Sequence, residues 1–380
     1  MSHSNQSIVI HAAGDLRVEA RDVLEPGLGE ILVKMQAGGI CGSDLHYYQN
    51  GGFGPIKLRE PMVLGHEVSG KVAALGAGVK NIKIGQLVAV SPSRPCQSCA
   101  YCLNGQQNHC MHMQFYGSAM PFPHIQGAFQ QQLVAKEGQC ILADGLSAGQ
   151  AAMAEPLAVC LHAIRQAGDL VGKTVLITGC GPIGCLSVVA ARCAGAARII
   201  ATDLSNYTLD MALNCGADNA INIKLDPNDL DQYQKEKGQI DVHLECSGAA
   251  VALAAGIACL RPGGTLIQLG LGGDMTIPMQ ALTAKEIKLR GSFRFHSEFA
   301  TAVQMMQSGL IKVDQLITHR FDISEAQSAF DTAGDRSRAM KVQLTFKGSI
   351  RPPARQYSLL VTKTSRNAFM RPLRLYLWRL

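Results

Sequence analysis

No stretch of the 380 residues stays apolar for the roughly eighteen positions that a membrane-spanning helix needs, so a helical span is not indicated. The N-terminus lacks a charged segment followed by an apolar one, so secretion is not indicated either, and a cytoplasmic protein is expected. No internal repeat is visible, which excludes a solenoid. Tryptophan occurs once, at Trp378, in a segment that also lacks acid: residues 348–380 hold seven Arg or Lys and no Asp or Glu. That segment explains the formal charge of +6, because the remainder carries 28 basic residues against 29 acidic ones. A nucleic-acid partner would rest on the tail alone and is not expected.

What is present is enough chain and apolar content, 47% hydrophobic, for two domains with a well-buried core. Residues 7–36 alternate short apolar runs with turn residues, and Ser7–His11, Arg17–Ala20 and Glu30–Met35 read as strands separated by Gly14-Asp15 and Pro26–Gly29. Val68–Leu75 and Gln86–Val90 continue the pattern, giving a β-rich first third. Its glycine-lined loops carry Cys41 and His66, a thiolate and an imidazole of the kind that hold a catalytic zinc with one position left open. Ser43, His46 and Glu67 lie beside them in the chain, and Glu155 follows before a proline. A buried thiol and an unrelated histidine would give the same two letters.

Thirteen cysteines in a chain without an export signal point to metal before disulfides. Four of them, Cys96, Cys99, Cys102 and Cys110, are spaced to close a tetrahedral all-thiolate shell, which leaves no position for water and serves structure. The alternatives are four reduced thiols in a loop or two disulfides. Most of the others lie in apolar surroundings and read as small core residues.

From about residue 153 strands and helices alternate. Thr174–Thr178 is a continuous apolar run, as in a parallel strand buried on both faces, and it enters Gly179-Cys180-Gly181-Pro182-Ile183-Gly184. A helical face follows with Ile183, Leu186, Val189, Ala190 and Cys193, then a second strand, Arg198–Thr202, ends at Asp203. Glycines in this context cradle a pyrophosphate at a helix N-terminus, so Gly179, Gly181, Pro182, Ile183 and Gly184 are expected to bind a dinucleotide. Asp203 would accept hydrogen bonds from ribose hydroxyls and repel a 2′-phosphate, favouring NAD, with NADP possible. Arg198 stands at the start of its strand and is expected to point away. Further strands near 220–223, 239–248 and 263–270 complete a doubly wound parallel sheet.

Cys41-Gly42-Ser43-Asp44, Gly65-His66-Glu67, the four-cysteine loop, Glu155-Pro156 and the Gly179–Gly184 fingerprint occur in one order over roughly residues 7–346. In that arrangement the chain resembles the zinc-containing medium-chain alcohol and polyol dehydrogenases. The resemblance implies an α/β fold: a GroES-like β-rich catalytic domain over 1–152, completed by 295–346, and a Rossmann-type NAD-binding domain over 153–294. It also implies one catalytic and one structural zinc, and a homo-oligomer. Cys41, His66 and Glu155 match the catalytic zinc ligands, with Glu67 as an alternative or exchanging one, and Asp44 matches the carboxylate that orients the histidine. Ser43 and His46 match the relay that carries the alcohol proton to solvent. Arg294 resembles a residue lining the polyol pocket; it could also pair with the carboxylate of an aldonate substrate, or be an interdomain arginine of no catalytic role.

Residues 347–380 depart from the family pattern. The expectation is a disordered read-through or out-of-frame extension. The alternative is an interfacial helix near Met370–Arg379, which Pro372 disfavours.

Overall fold

The strand Glu30–Gly39 is the axis of the first half, because three other strands use its two edges. Glu67–Leu75 pairs antiparallel along one edge, while Gln132–Lys136 takes the other edge at Glu30–Lys34 and Lys341–Thr345 takes it at Ala37–Gly39. In this computed structural model, which describes residues 5–22 and 24–346, these strands belong to a seven-stranded sheet. The strand alternates buried and half-buried residues up to Met35 and is then buried throughout Gly38–Gly39. Period-two burial is what a strand with one core face requires. Ile31, Val33 and Met35 join Ile8, Ile10, Leu64, Val68 and Phe129 in the core beneath it. The strand Lys341–Thr345 comes from the far end of the described chain, so the last residues complete a sheet begun by the first.

The second sheet has six parallel strands in the order Asn219–Asn222, Arg198–Asp203, Thr174–Thr178, Ile240–Glu245, Leu260–Gln268, Lys288–Gly291. Val175, Leu176 and Ile177 are fully buried, as a central parallel strand covered on both faces must be. The chain order reverses around Thr174–Thr178, and Gly179 begins there, at the carboxyl end where open α/β sheets bind ligands. The fold is thus the expected α/β pair of a β-rich sheet and a Rossmann-type parallel sheet. All described residues fall in one compact unit. The basic segment 347–380, and with it the extension and interfacial-helix readings, lies outside the described residues. Among the described residues no helix is long and apolar enough to cross a membrane.

Where residues 295–346 return to the first sheet, one carboxylate ties two helices together. Glu298, 3% exposed at the start of helix Glu298–Gln307, accepts hydrogen bonds from His162 Nδ1 (3.1 Å) and from the backbone N–H of His296 (2.9 Å) and pairs with Arg165 Nη1 (2.8 Å). His162 and Arg165 belong to helix Ala154–Ala167. Burial alone would raise the Glu298 pKa, but the His162 hydrogen bond and backbone amides outweigh it and draw the carboxyl down to about 2. A folded-state pKa below the unfolded one stabilises the protein above the ordinary glutamate range, and the contribution fades as pH falls toward 2. Glu298→Gln is therefore expected to be less stable than the parent near neutrality, with the gap closing on acidification from about pH 4.5 to 2. Urea midpoints of the two proteins at each pH check this, and a gap independent of pH would refute it.

Candidate active site

The register of the first sheet delivers the metal ligands. Gly39 lies opposite Glu67 on one side and opposite Gln343 on the other, and the chain then leaves the strand at Ile40 and Cys41. A Cβ on Gly39 would run into the Glu67 carboxylate, so close approach requires glycine there. Cys41 Sγ, a His66 ring nitrogen and a Glu67 carboxylate oxygen consequently lie within 4.8 Å of one another. Thiolate, imidazole and carboxylate are the donor types of a three-ligand zinc site.

Asp44, fully buried, holds the loops bearing Cys41 and His66 together. Its Oδ2 accepts from Cys41 N (3.0 Å) and its Oδ1 from Gly65 N (3.1 Å), while Oδ1 stands 3.8 Å from His66 Nδ1. The last distance is too long for a hydrogen bond, and His66 Nδ1 has no partner although it is buried. With Nδ1 turned toward Asp44, the other ring nitrogen is free to ligate. Burial opposes a positive charge on His66, yet the combined field of Asp44, Cys41 and Glu155 lifts its pKa well above the ordinary value. The pocket therefore attracts cations, and its donor set suits a divalent one.

Glu155 stands outside the 4.8 Å set, in the first turn of helix Ala154–Ala167. It is nevertheless close enough for its charge to act on His66 and Lys341; burial raises its own pKa to about 7 against the lowering fields of His66 and Lys341. Glu67 is held by Lys341, whose Nζ is 2.8 Å from both carboxylate oxygens and donates to Ile40 O at 3.1 Å.

The four-cysteine loop closes as its spacing predicts. The sulfurs of Cys96, Cys99, Cys102 and Cys110 lie within 4.8 Å of one another. Gln97 adopts φ of +61°, curling the backbone so that Cys99 N donates to Cys96 Sγ (3.3 Å), while Cys96 N and His112 N donate to Cys110 Sγ (3.1 and 3.4 Å). Hydrogen bonds from Ser98, first its backbone and then its hydroxyl, with further donors behind them, hold the Cys96 thiol down at about 5. Amide donors aimed at sulfur stabilise thiolates, the form that binds metal.

Ser43 and His46 sit three residues apart on helix Gly42–Asn50, hence on one face, with Ser43 half-buried and His46 exposed. Phe115 lies between His66, 5.7 Å from its ring, and Arg294, whose guanidinium is 4.4 Å from its centroid on the way to Phe293 at 4.8 Å. Arg294 Nη2 contacts Met120 Sδ at 3.3 Å, and the guanidinium forms no ion pair among the described residues. Burial lowers its pKa to about 10.

At the second sheet, helix Pro182–Cys193 begins with Pro182 in its first turn and Gly181 as its N-cap. Gly179 has φ of +84°, and a Cβ on Gly184 would meet the Gly179 carbonyl. The first and third glycines thus serve the turn and the packing, while Gly181 faces open space in which only Arg336 Nη1 comes near, 3.8 Å from where a Cβ would stand. Asp203 is more occupied than its sequence position implies. Its Oδ2 accepts from Cys180 N (2.6 Å) and its Oδ1 from Leu204 N (2.7 Å) and Ser205 N (3.1 Å). Oδ1 is thus saturated and Oδ2 keeps one lone pair, so the carboxylate braces the turn and retains one acceptor site. Arg198 leans on Tyr233, 5.5 Å from its ring, away from this edge.

Comparison with known proteins places this geometry. Residues 27–145 match the alcohol dehydrogenase GroES-like domain and residues 182–308 match the zinc-binding dehydrogenase family. The chain is 44% identical over 317 residues to L-idonate 5-dehydrogenase (NAD(P)(+)) of Escherichia coli K12, covering 83% of this chain and 91% of that protein. The chain belongs to the zinc-binding dehydrogenases. Human sorbitol dehydrogenase is 37% identical over 341 residues, covering 87% of this chain and 92% of its own length. The crystal structure of the E. coli L-idonate enzyme superposes with a TM-score of 0.87 at 42% identity, over 91% of this chain and 99% of that one. This dehydrogenase acts on a CH–OH group and uses zinc and a nicotinamide dinucleotide.

Two residues of the cleft escape sequence reasoning. Lys341 left a trace, the one cation in the strand Lys341–Thr345, since a lysine is seldom buried unless paired. Arg336 left none, because only the tertiary fold brings its loop to Gly181. In metal-free dehydrogenase, Lys341→Met strands a buried carboxylate and is expected to lower the unfolding free energy by about 3–5 kcal/mol. Urea titration measures it, and a loss under about 1 kcal/mol would mean that Glu67 does not depend on Lys341. Arg336→Ala is expected to weaken NADH binding about tenfold, the worth of one charged hydrogen bond to a pyrophosphate, and to leave AMP binding unchanged. Fluorescence titration with NADH decides it; equal affinity would remove Arg336 from the cofactor site.

Proposed function

We propose that this zinc-binding dehydrogenase oxidises the C5 hydroxyl of L-idonate to 5-dehydro-D-gluconate with NAD as the preferred acceptor. The observation that carries the reading is Arg294, a guanidinium with no ion pair among the described residues, separated by the single ring of Phe115 from the Cys41–His66–Glu67 cluster. An aldonate has a carboxylate at one end and a carbinol near the other, which matches an arginine at one end of a cleft and a metal-binding set at the other. The likeness to the E. coli L-idonate enzyme supports the same substrate.

Cys41 and His66 would hold the zinc, with a carboxylate as third ligand: Glu155, or Glu67, which lies within reach of both but is paired with Lys341. When bound, zinc supplies a Lewis acid that lowers the pKa of an alcohol, and NAD supplies the hydride acceptor. Ser43 accepts the hydrogen bond of the reacting hydroxyl, and His46 passes the proton to solvent from the exposed face of the helix. Asp44 fixes the Cys41 and His66 loops, so the ligands are set before substrate arrives. Gly179–Gly184 bind the pyrophosphate through backbone amides, and Asp203 faces the ribose and disfavours a 2′-phosphate. Arg294 pairs with the substrate carboxylate and fixes which carbon meets the acceptor.

Turnover of L-idonate, D-gluconate, sorbitol and xylitol, each with NAD and with NADP, tests this by NADH or NADPH absorbance. L-Idonate with NAD is expected to give the highest kcat/KM, and Arg294→Ala to raise the L-idonate KM about tenfold or more while sparing sorbitol. A preference for sorbitol or xylitol, with both substrates equally insensitive to Arg294→Ala, would replace this reading by a polyol dehydrogenase, as the 37% identical sorbitol enzyme of Homo sapiens suggests.

A further inference from the structure

The four-cysteine lobe contacts the turn that carries Arg294. Asn108, 9% exposed between Cys102 and Cys110, donates from Nδ2 to the backbone carbonyl of Phe293 at 3.2 Å. The next residue, His109, stacks on the Phe293 ring, with centroids 6.4 Å apart and planes inclined by 21°. Phe293 in turn carries one face of the Arg294 guanidinium, 4.8 Å from its centroid. Arg294 itself has φ of +56°, the left-handed region that a side-chain-bearing residue seldom adopts without support. Such a conformation persists only when its surroundings hold it, and backbone strain of this kind gathers at functional positions.

The support comes from the lobe. Asn108 and His109 sit in a single-turn helix, Gln107–His109, that ends on the ligand Cys110, so their placement depends on how the four sulfurs are gathered. A loop this short has little core of its own, and a metal closing it fixes its shape. On the other side of the contact, Ser292 N donates to Gln268 O at the end of the parallel sheet, which leaves the 293–294 turn as the free span between the sheet and buried Phe295. We propose that the four-cysteine lobe is a positioning element for substrate recognition, in which Asn108 and His109 clamp Phe293 and so hold Arg294 in its left-handed conformation facing the cleft. The inference rests on the reading of Arg294 as the partner of the substrate carboxylate. It assigns the structural metal a second consequence, because its occupancy sets how well the cleft grips substrate. Phe293 is 39% exposed and Arg294 lies between two rings, so neither has enough surrounding structure to keep this geometry unaided.

Asn108→Leu, which keeps volume and removes the donor, and His109→Ala, which removes the stacked ring, cut the clamp separately with the cysteines untouched. With zinc content still at two per chain by elemental analysis, each is expected to raise the L-idonate KM about fivefold, with kcat and the NAD KM within twofold of the parent. Amide exchange over residues 292–296 is expected to quicken in both, and neither is expected to raise the KM further in an Arg294→Ala background. Unchanged exchange and unchanged KM in both variants would overturn the clamp. Faster exchange with KM values rising equally for L-idonate and sorbitol would uphold the clamp and instead remove Arg294 as a carboxylate partner. If Asn108→Leu loses zinc, His109→Ala decides, since that exposed ring makes no hydrogen bond to any cysteine sulfur.

Discussion

The buried pair between Glu67 and Lys341 is the contact on which the arrangement of the first sheet depends. Lys341 belongs to the last strand of the described chain and Glu67 to one of its early strands; Glu67 lies opposite Gly39, and Lys341 reaches the Ile40 carbonyl at the point where the chain turns out to Cys41. Two charges taken out of water offset their desolvation only when geometry and additional hydrogen bonds are good. Here the ammonium reaches both carboxylate oxygens and the Ile40 carbonyl, so all three of its protons are placed. The pair therefore registers the closing strand: slipping it by one residue would turn Lys341 to the other face and leave Glu67 alone. It also limits the negative charge near Cys41 and His66, where Asp44 and Glu155 already act.

That anionic surplus explains why the site can be built before its metal arrives. Asp44 is committed to two backbone amides and Glu67 to Lys341, which leaves the Cys41 thiol and the His66 ring as the groups with capacity to spare. A protein interior tolerates such a cluster by taking up a proton or a cation. The raised affinity of His66 for a proton and the suitability of the same donor set for zinc are two expressions of one field.

Much of this was legible in the sequence because it rests on local chemistry. The four cysteines and the glycine fingerprint each lie within one short segment, so their spacing pointed to how the chain would gather them. The two halves of the α/β fold followed from the change in hydrophobic period near residue 153. What depended on distant pairing was not legible. Nothing near Lys341 in the chain points to Glu67, and Arg336 meets Gly181 only after both sheets have formed. Asp203 was placed at the correct strand end, yet its hydrogen bonds to Cys180, Leu204 and Ser205 depend on how the turn folds over it. Glu155 shows the reverse: the sequence put it with the ligands, whereas the fold keeps it near them and outside their 4.8 Å set.

Arg294 stands on one side of Phe115 and the anionic surroundings of His66 on the other, and on the proposed reading this polarity selects the substrate. Arg294 is flanked by Phe115 and Phe293 and forms no ion pair among the described residues, so its burial is offset only in part, by the more distant charge of Glu155, until an anion enters. A neutral polyol can occupy the same length, but it leaves the guanidinium with the sulfur of Met120 as its acceptor. Sites built to pair a buried polar group reject the analogue that lacks the partner more strongly than apolar pockets reject a change in size. The aromatic faces hold the guanidinium in a plane, and a planar fork meets a carboxylate in only a few orientations. Restricting the orientation of the acid end fixes the position of the carbinol at the other, so the group that recognises the substrate also determines which of its hydroxyls can react.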